Sequence, residues 1–425
     1  MKAFGVCQFW IWLATAKLDT PFPLSMFLAG EGANSCLPLY SFLGLPAIVL
    51  FEFIMGRCQV CGETSPLISG RLGVCLRCVR EKPEQALPIA QRAHAQSRAF
   101  YGLPAEPPRD ADGLACGVCA NNCVIGVGGS GYCGLVWNVG GRLVRFGGTA
   151  EQGVLEWYYD GLPTNCVSWW FCPGCTGKGY PKYAYKPEPE YGYYNLAVFY
   201  GACSYDCLFC QNWHYRNLSA KHKPVMSAEA LAQKAFDKRV SCVCFFGGDP
   251  SPQMPHSLET SRIALEKAEM EKRILRVCWE TNGYMKPRLA EKAAEYALKS
   301  GGNIKFDLKA WSEPLAIALC GVSNKPALEN FRMIGEKYYA KRPELPILTA
   351  STLLVPGYVD AYEVEKIAQF ISQISPEIPY TLLAFYPCYV MNDLPTTSRK
   401  QAQECQQAAQ KHLKNVRIGN IHLLS

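Results

Sequence analysis

The sequence predicts an α/β protein: a partial (β/α)6 barrel preceded by small Cys-rich metal-binding domains. Three observations lead there. Over residues 193–425, short β-rich runs alternate with amphipathic helical runs, the pattern of βα units around a parallel sheet. Over residues 55–190 that alternation gives way to Cys, Gly and aromatic residues. Finally, the chain's 22 cysteines gather in C-x2-C patterns. In a chain this long, tight cysteine pairs point to soft metals rather than to disulfides.

Six strands can be placed in the second half: Asn195–Ala202, Val240–Phe246, Ile274–Glu280, Asn303–Phe306, Leu345–Leu354 and Pro379–Phe385. Helical patterns run over Ser227–Arg239, Leu258–Lys272, Pro287–Ser300, Ala327–Lys341, Tyr362–Ile374 and Arg399–Leu413. Pro287 near a helix start and Gly301 just past its end are the expected punctuation. A short strand within Val416–Leu424 closes the chain.

The 425 residues are 49% hydrophobic, so most of the chain is expected to be globular. The net charge of +7, without a long Lys/Arg run, permits an acidic or nucleic-acid partner without arguing for one. Reduced thiols imply a reducing compartment, hence a cytoplasmic protein. We read four regions: an apolar extension over 1–54, a zinc-ribbon-like domain with a helix over 55–102, a Cys-rich metal-binding region over 103–192, and the barrel over 193–425. The extension fits a misassigned start better than a membrane anchor, because Met55 lies three residues before the first metal motif. A membrane association is expected only if residues 1–54 are translated.

Cys203-Ser-Tyr-Asp-Cys207-Leu-Phe209-Cys210 is C-x3-C-x2-C directly after the first strand. Three thiolates are one short of an all-cysteine [4Fe-4S] site. On spacing alone, a zinc site completed by His214 competes with a cluster that keeps one iron open. Further motifs end the later strands: Gly247-Gly248-Asp249-Pro250, Thr281-Asn282-Gly283, Asp307-Leu-Lys309, Val355-Pro-Gly357 with Asp360, and Phe385-Tyr386-Pro387 followed by Asp393-Leu-Pro395. The carboxyl ends of strands are where barrel enzymes build active sites.

The C-x3-C-x-Φ-C pattern with Phe209 before the last cysteine resembles the signature of radical S-adenosylmethionine (SAM) enzymes. Cys210-Gln-Asn-Trp213 and the strand-end motifs are similar to the AmmeMemoRadiSam-system enzymes and the pyruvate formate-lyase activating enzymes. The resemblance covers about residues 193–425. It implies a [4Fe-4S] cluster on Cys203, Cys207 and Cys210, with SAM held near Phe209, Gly247, Gly248, Asp249, Asn282, Asp307 and Lys309. Two departures stand out: Asp249 replaces a usual Glu, and Tyr386 a frequent His.

Upstream, Cys58-x2-Cys61-x13-Cys75-x2-Cys78 has zinc-ribbon spacing. The set Cys116, Cys119, Cys123 and Cys133 resembles the segment preceding the core in AmmeMemoRadiSam-type enzymes; zinc and an auxiliary Fe-S cluster are both open there. Cys166, Cys172 and Cys175 form a third group that needs a ligand from elsewhere to hold zinc or a cluster. Nearby Trp157-Tyr-Tyr159 and Trp169-Trp-Phe171 read mainly as core. Cys242, Cys244 and Cys278 fall in predicted strands, where free cysteine is ordinarily a small hydrophobe, and receive no role.

The resemblance implies reductive cleavage of SAM to a 5′-deoxyadenosyl radical that takes hydrogen from a substrate. The expected oxidoreductase is a glycyl-radical-enzyme activase or a protein or peptide modifier, with flavodoxin or ferredoxin as reductant. The alternatives are a radical SAM RNA-modifying enzyme, whose ribbon would bind RNA, and a non-catalytic iron-sulfur or zinc-binding module. No D-x-H-x-x-G cobalamin motif occurs.

Overall fold

A computed structural model describes residues 55–425. The reading of 1–54 lies outside the described residues. The first segment is a two-residue antiparallel pair, β1 (Gly56–Arg57) with β2 (Thr64–Ser65), followed by α1 (Leu76–Glu81) and α2 (Pro83–Ala99). Pro83 opens α2 at its first position, where its missing N–H costs nothing. Two further antiparallel pairs follow: β3 (Leu114–Ala115) with β4 (Val124–Ile125), and β5 (Val136–Val139) with β6 (Arg142–Arg145).

The remaining strands form one nine-stranded sheet. The strands are β7 (Gly153–Gly161), β8 (Tyr194–Tyr200), β9 (Val225–Met226), β10 (Val240–Gly247), β11 (Arg276–Thr281), β12 (Ile304–Asp307), β13 (Leu348–Leu354), β14 (Tyr380–Ala384) and β15 (Val416–Gly419). From β8 through β10 to β15 every pairing is parallel. β7 lies antiparallel along the free side of β8, and β9 pairs antiparallel with β7. β13 is buried at all seven positions and β8 at six of seven. Such continuous apolar runs suit strands covered on both faces.

The covering helices are α3 (Pro173–Thr176), α4 (Tyr215–Lys221), α5 (Ala228–Lys234), α6 (Met254–Met270), α7 (Pro287–Ser300), α8 (Glu313–Cys320), α9 (Lys325–Tyr338), α10 (Ala361–Ser372) and α11 (Arg399–Gln410). α7 shows why they form. Ala290, Ala293, Ala294 and Ala297 recur at helical spacing and are buried, so the helix lies close on the sheet. Gly301 ends it at φ 82°, a left-handed conformation that favours glycine.

The six predicted strands are all present, with the seventh at the carboxyl terminus. Several elements escaped the sequence reading, among them β7, β9, α4 and α8. β7 contains Trp157-Tyr-Tyr159, whose aromatics hid a strand. α8 buries Leu315, Ala316, Ala318, Leu319 and Cys320, so it is apolar without a polar face to mark its period. The helix expected over Ser227–Arg239 is shorter, ending at Lys234.

The ribbon segment is fastened to the barrel by charge. Arg80 makes paired hydrogen bonds of 2.9 and 2.8 Å to Asp360 and one of 2.6 Å to Glu363, whose side chain is fully buried. Ser69 Oγ donates to Asp393 at 2.8 Å, and Ser69 N donates to the Tyr358 hydroxyl at 3.0 Å. Asp360 and Asp393, both in strand-end motifs, therefore hold the ribbon. Replacing Arg80 strands a buried carboxylate. Arg80→Met should cost about 2 kcal/mol in urea unfolding; an unchanged midpoint would show that this contact contributes nothing.

Candidate active site

The Cys203–Cys210 loop begins three residues beyond β8. Its backbone is tied down on every side. Asp206 N donates to Cys320 O at 2.8 Å and Leu208 N to Leu319 O at 3.0 Å, both at the end of α8. Val390 N and Met391 N both donate to Leu208 O at 3.0 Å. Asn121 Nδ2 donates to Ser204 O at 2.7 Å, joining the second cysteine region to this loop.

Asp206, inside the motif, is fully buried and has four polar residues around it. Its Oδ1 accepts from Arg216 Nη2 at 2.5 Å, Arg216 Nε at 3.2 Å and Ser97 Oγ at 3.2 Å; its Oδ2 lies 3.0 Å from His94 Nδ1. Arg98 Nη1 stands 3.9 Å away. Burial opposes the charge, but His94, Arg216 and Arg98 hold the carboxyl well below the usual carboxylate range. Arg216 Nη1 is buried with no hydrogen-bond partner among the described residues.

The strand-end glycines seat the loop. A Cβ on Gly247 would lie 2.4 Å from Tyr200 N, and one on Gly248 would lie 2.2 Å from Ala202 O. Gly248 N and Asp249 N in turn donate to Tyr200 O and Ala202 O at 2.9 and 2.7 Å. Close approach of backbone to backbone thus requires both glycines. Asp249 is 3% exposed, and burial raises its carboxyl to about 6. It accepts from Ser251 N at 2.6 Å, Asn282 N at 2.6 Å and Thr281 Oγ1 at 3.0 Å. Those bonds clamp β10 to β11 and make Asp249 a positioning residue. Asn282 extends the clamp: its Nδ2 donates to Ser204 Oγ at 3.0 Å and to Cys203 Sγ at 3.6 Å.

Asp307 and Lys309 sit at the end of β12. Lys309 Nζ pairs with Asp307 Oδ2 and lies 5.8 Å from the centre of the Phe209 ring. Burial works against the ammonium, but Asp307 and the Cys207 thiol hold it above the usual lysine range. Asp307 Oδ1 and Gln211 Nε2 are buried without a hydrogen-bond partner among the described residues. His214 stacks on Phe199 at 4.4 Å. The Tyr386 hydroxyl lies against the Cys388 thiol.

The cysteine groups separate by geometry. Cys58, Cys61, Cys75 and Cys78 bring their sulfurs within 4.8 Å of one another, as ligands of one ion must be. Among the described residues no other Cys, His or carboxylate group of three or more meets that spacing. Cys203, Cys207 and Cys210 with His214 are therefore not gathered as a single-ion site. Cys116, Cys119, Cys123 and Cys133 are electrostatic neighbours, and burial raises Cys133 to about 12. They lie beside the β11 loop, with Ala120 N donating to Tyr284 O at 2.8 Å. Cys166 and Cys172 instead line a cavity at the amino ends of the barrel strands, with Cys175 beside Cys172. Sequence reading missed His94, Arg98 and Arg216; the one available signal was a charged residue, Asp206, inside an otherwise uncharged cysteine loop.

The radical SAM superfamily model matches residues 197–371. That span runs from β8 to α10 and includes the cysteine loop, so this part of the chain is similar to the radical SAM superfamily. Over 319 residues it is 24% identical to an uncharacterized protein of Methanocaldococcus jannaschii, covering 73% of this chain and 83% of the relative. A protein of the same organism named as a glycyl-radical enzyme activating enzyme is 26% identical over 219 residues, covering 50% of this chain and 76% of the relative. Among solved structures, a domain of a pyruvate-formate lyase-activating enzyme from Bacteroides vulgatus matches with a TM-score of 0.33 and 19% identity, over 42% of this chain and 98% of that one.

Removing the Asp206 charge leaves Arg216 and Arg98, which are 0% and 1% exposed, without their anion. Asp206→Asn should lower the stability of the metal-free chain by about 3–5 kcal/mol in denaturant unfolding. A loss below about 1 kcal/mol would contradict this reading of the network.

Proposed function

We propose that this chain is a radical SAM enzyme whose cluster is held by Cys203, Cys207 and Cys210 and whose substrate is a protein or peptide, a glycyl-radical enzyme foremost. The observation that carries the reading is the three-cysteine loop at the carboxyl ends of the strands, ringed by polar groups left without partners. Asp307 Oδ1, Gln211 Nε2 and Arg216 Nη1 are buried and unsatisfied among the described residues. Orphaned buried groups of this kind each cost about 1–3 kcal/mol unless something bound satisfies them.

The donor set fits a [4Fe-4S] cluster with one open iron. Three thiolates stand on one loop, more widely set than the ligands of a single ion. The Arg216 guanidinium beside Cys207 and Cys210 suits a centre of net negative charge. When bound, the cluster supplies the electron that cleaves SAM to the 5′-deoxyadenosyl radical.

The chain's own residues bind, orient and exclude water. Asp307 and Lys309 offer an acceptor and a cation to the polar end of SAM. Asn282, aligned by Asp249, offers its amide beside Cys203. Phe209 and Lys309 close the near wall. Tyr386, an ordinary phenol, is not needed as a base for hydrogen-atom removal.

For a macromolecular substrate, a groove of about 370 Å3 lies beside the cysteine loop, lined by Gln96, Ser97, Phe100, Tyr101 and Tyr389. Phe100 is 83% exposed there. The name of the Methanocaldococcus relative supports the activase reading. The ribbon's bonds to Asp360, Glu363 and Asp393 support a structural role for it over RNA docking. A flavodoxin or ferredoxin in the cytoplasm suits the one-electron supply. Among the described residues, no helix is long and apolar enough to cross a membrane.

The test is anaerobic reconstitution with iron and sulfide, then chemical reduction with SAM present. 5′-Deoxyadenosine should form, and Cys207→Ala should form none; its absence from the native chain would refute the reading. Lys309→Met should raise the KM for SAM by about 10–100-fold, the loss of one charged hydrogen bond of about 1.5–3 kcal/mol. An unchanged KM would remove Lys309 from the SAM site.

A further inference from the structure

The barrel interior holds a second concentration of thiols, remote from the Cys203 loop. A cavity of 40 Å3 is lined by Cys166, Cys172, Cys242, Cys244, Cys278 and Lys305. Its walls come from distant parts of the chain. Cys166 and Cys172 lie between β7 and β8, Cys242 and Cys244 on β10, Cys278 on β11 and Lys305 on β12. Parity brings the strand residues together: Cys244 is directly opposite Cys278 in the parallel register, and Cys242 is opposite Arg276. Alternate residues face the same side of a sheet, so Cys242, Cys244 and Cys278 all face inward. The Cys242 and Cys278 sulfurs are 4.0 Å apart.

Three features show that these are not simply small hydrophobes. First, Lys305 is 2% exposed and directs its ammonium at sulfur, 3.1 Å from Cys244 Sγ and 3.4 Å from Cys166 Sγ. A neutral thiol is a weak acceptor, so a buried ammonium gains little from it; a thiolate or metal-bound sulfur is a good one. Lys305 also pairs with Glu280 at 3.4 Å, a carboxylate that is partly in solvent, while its shortest contact is to the Cys244 sulfur. Second, the other buried cation of the cavity is already satisfied, because Arg276 pairs with Glu190 through bonds of 2.9 and 2.7 Å. Third, Asn195 and Asn303 also line the cavity and are 5% and 3% exposed. Their Oδ1 atoms have no hydrogen-bond partner among the described residues. Buried amide oxygens facing a cavity call for something polar inside it.

We propose that this cavity is a second metal centre, a thiolate-held iron–sulfur cluster inside the barrel, drawing ligands from among Cys166 and Cys172 on the connection and Cys242, Cys244 and Cys278 on the sheet. The strand cysteines supply the ligands that the C-x5-C-x2-C group lacks by itself. Thiolate sets select soft centres over hard cations, and cysteines set more widely than the ligands of one ion suit a cluster rather than zinc. A centre bound by several thiolates is anionic, and Lys305 is the buried cation that offsets it. The layer of Cys244 and Cys278 lies three residues, about 10 Å, below the strand ends that carry the catalytic loop. The centre is thus separate from the SAM site and does not depend on that reading.

The experiment uses the full chain with Cys203, Cys207 and Cys210 changed to Ala, which empties the catalytic loop. It is reconstituted anaerobically with iron, sulfide and zinc, and bound metal and sulfide are counted. The same chain carrying Cys244→Ala and Cys278→Ala is treated in parallel. The proposal expects the second chain to hold less by one cluster, about four irons with matching sulfide. Iron lost together with sulfide supports the proposal, and a loss of zinc alone would overturn it. Should the sheet variant fail to fold, Cys166→Ala with Cys172→Ala, outside the sheet, must show the same loss. Equal metal and sulfide in variant and background would overturn the proposal, including the case of a Cys242–Cys278 disulfide or a dry cavity.

Discussion

The constraint on which this structure depends is the burial of Asp206. A carboxylate inside the cysteine loop can stay charged away from water only if cations surround it. Those cations come from two directions, Arg216 from α4 just after the loop and Arg98 from α2 far upstream, with the His94 ring of α2 also set against the carboxylate. The same residues that stabilise the charge fix the loop's height above the sheet and join α2 to the barrel. Breaking a buried pair costs far more than the pair contributes net. The network therefore specifies one arrangement of loop and helix rather than adding general stability.

The N-terminal cysteine regions belong to the same logic. Arg80 fastens the ribbon to Asp360 and Glu363, and Asn121 fastens the second cysteine region to Ser204. Each upstream segment thus contacts a strand-end loop. Motifs that look catalytic from their position divide on this basis. Asp360 and Asp393 hold the ribbon, Gly247 and Gly248 admit neighbouring backbone, and Asp249 aligns Thr281 and Asn282. Asp307 and Lys309 pair with each other at the end of β12, beside Phe209 of the cysteine loop.

Much of this was legible in the sequence, and the reasons are physical. The barrel strands are continuous apolar runs bounded by Gly and Pro, so each announces itself locally. The cysteine loop is legible because a metal group needs its ligands at fixed spacing. What could not be read is whatever depends on distant pairing. β7 carries no clean alternation, and its partner β8 lies more than thirty residues on. His94 and Arg98 look like surface residues of α2 until Asp206 is placed against them. Cys242, Cys244 and Cys278 look like ordinary strand interior until the register sets them beside Cys166. The ribbon was legible as a metal site from spacing alone, whereas its attachment to Asp360 was not.

The central claim is that the Cys203 loop holds a cluster with one iron open to SAM. Electron paramagnetic resonance of the reduced, iron-loaded chain tests it most directly, with SAM absent and present. The account predicts a cluster signal that shifts when SAM is added, the shifting component being missing from Cys207→Ala. A signal indifferent to SAM, or a loop that binds zinc in place of iron, would contradict it.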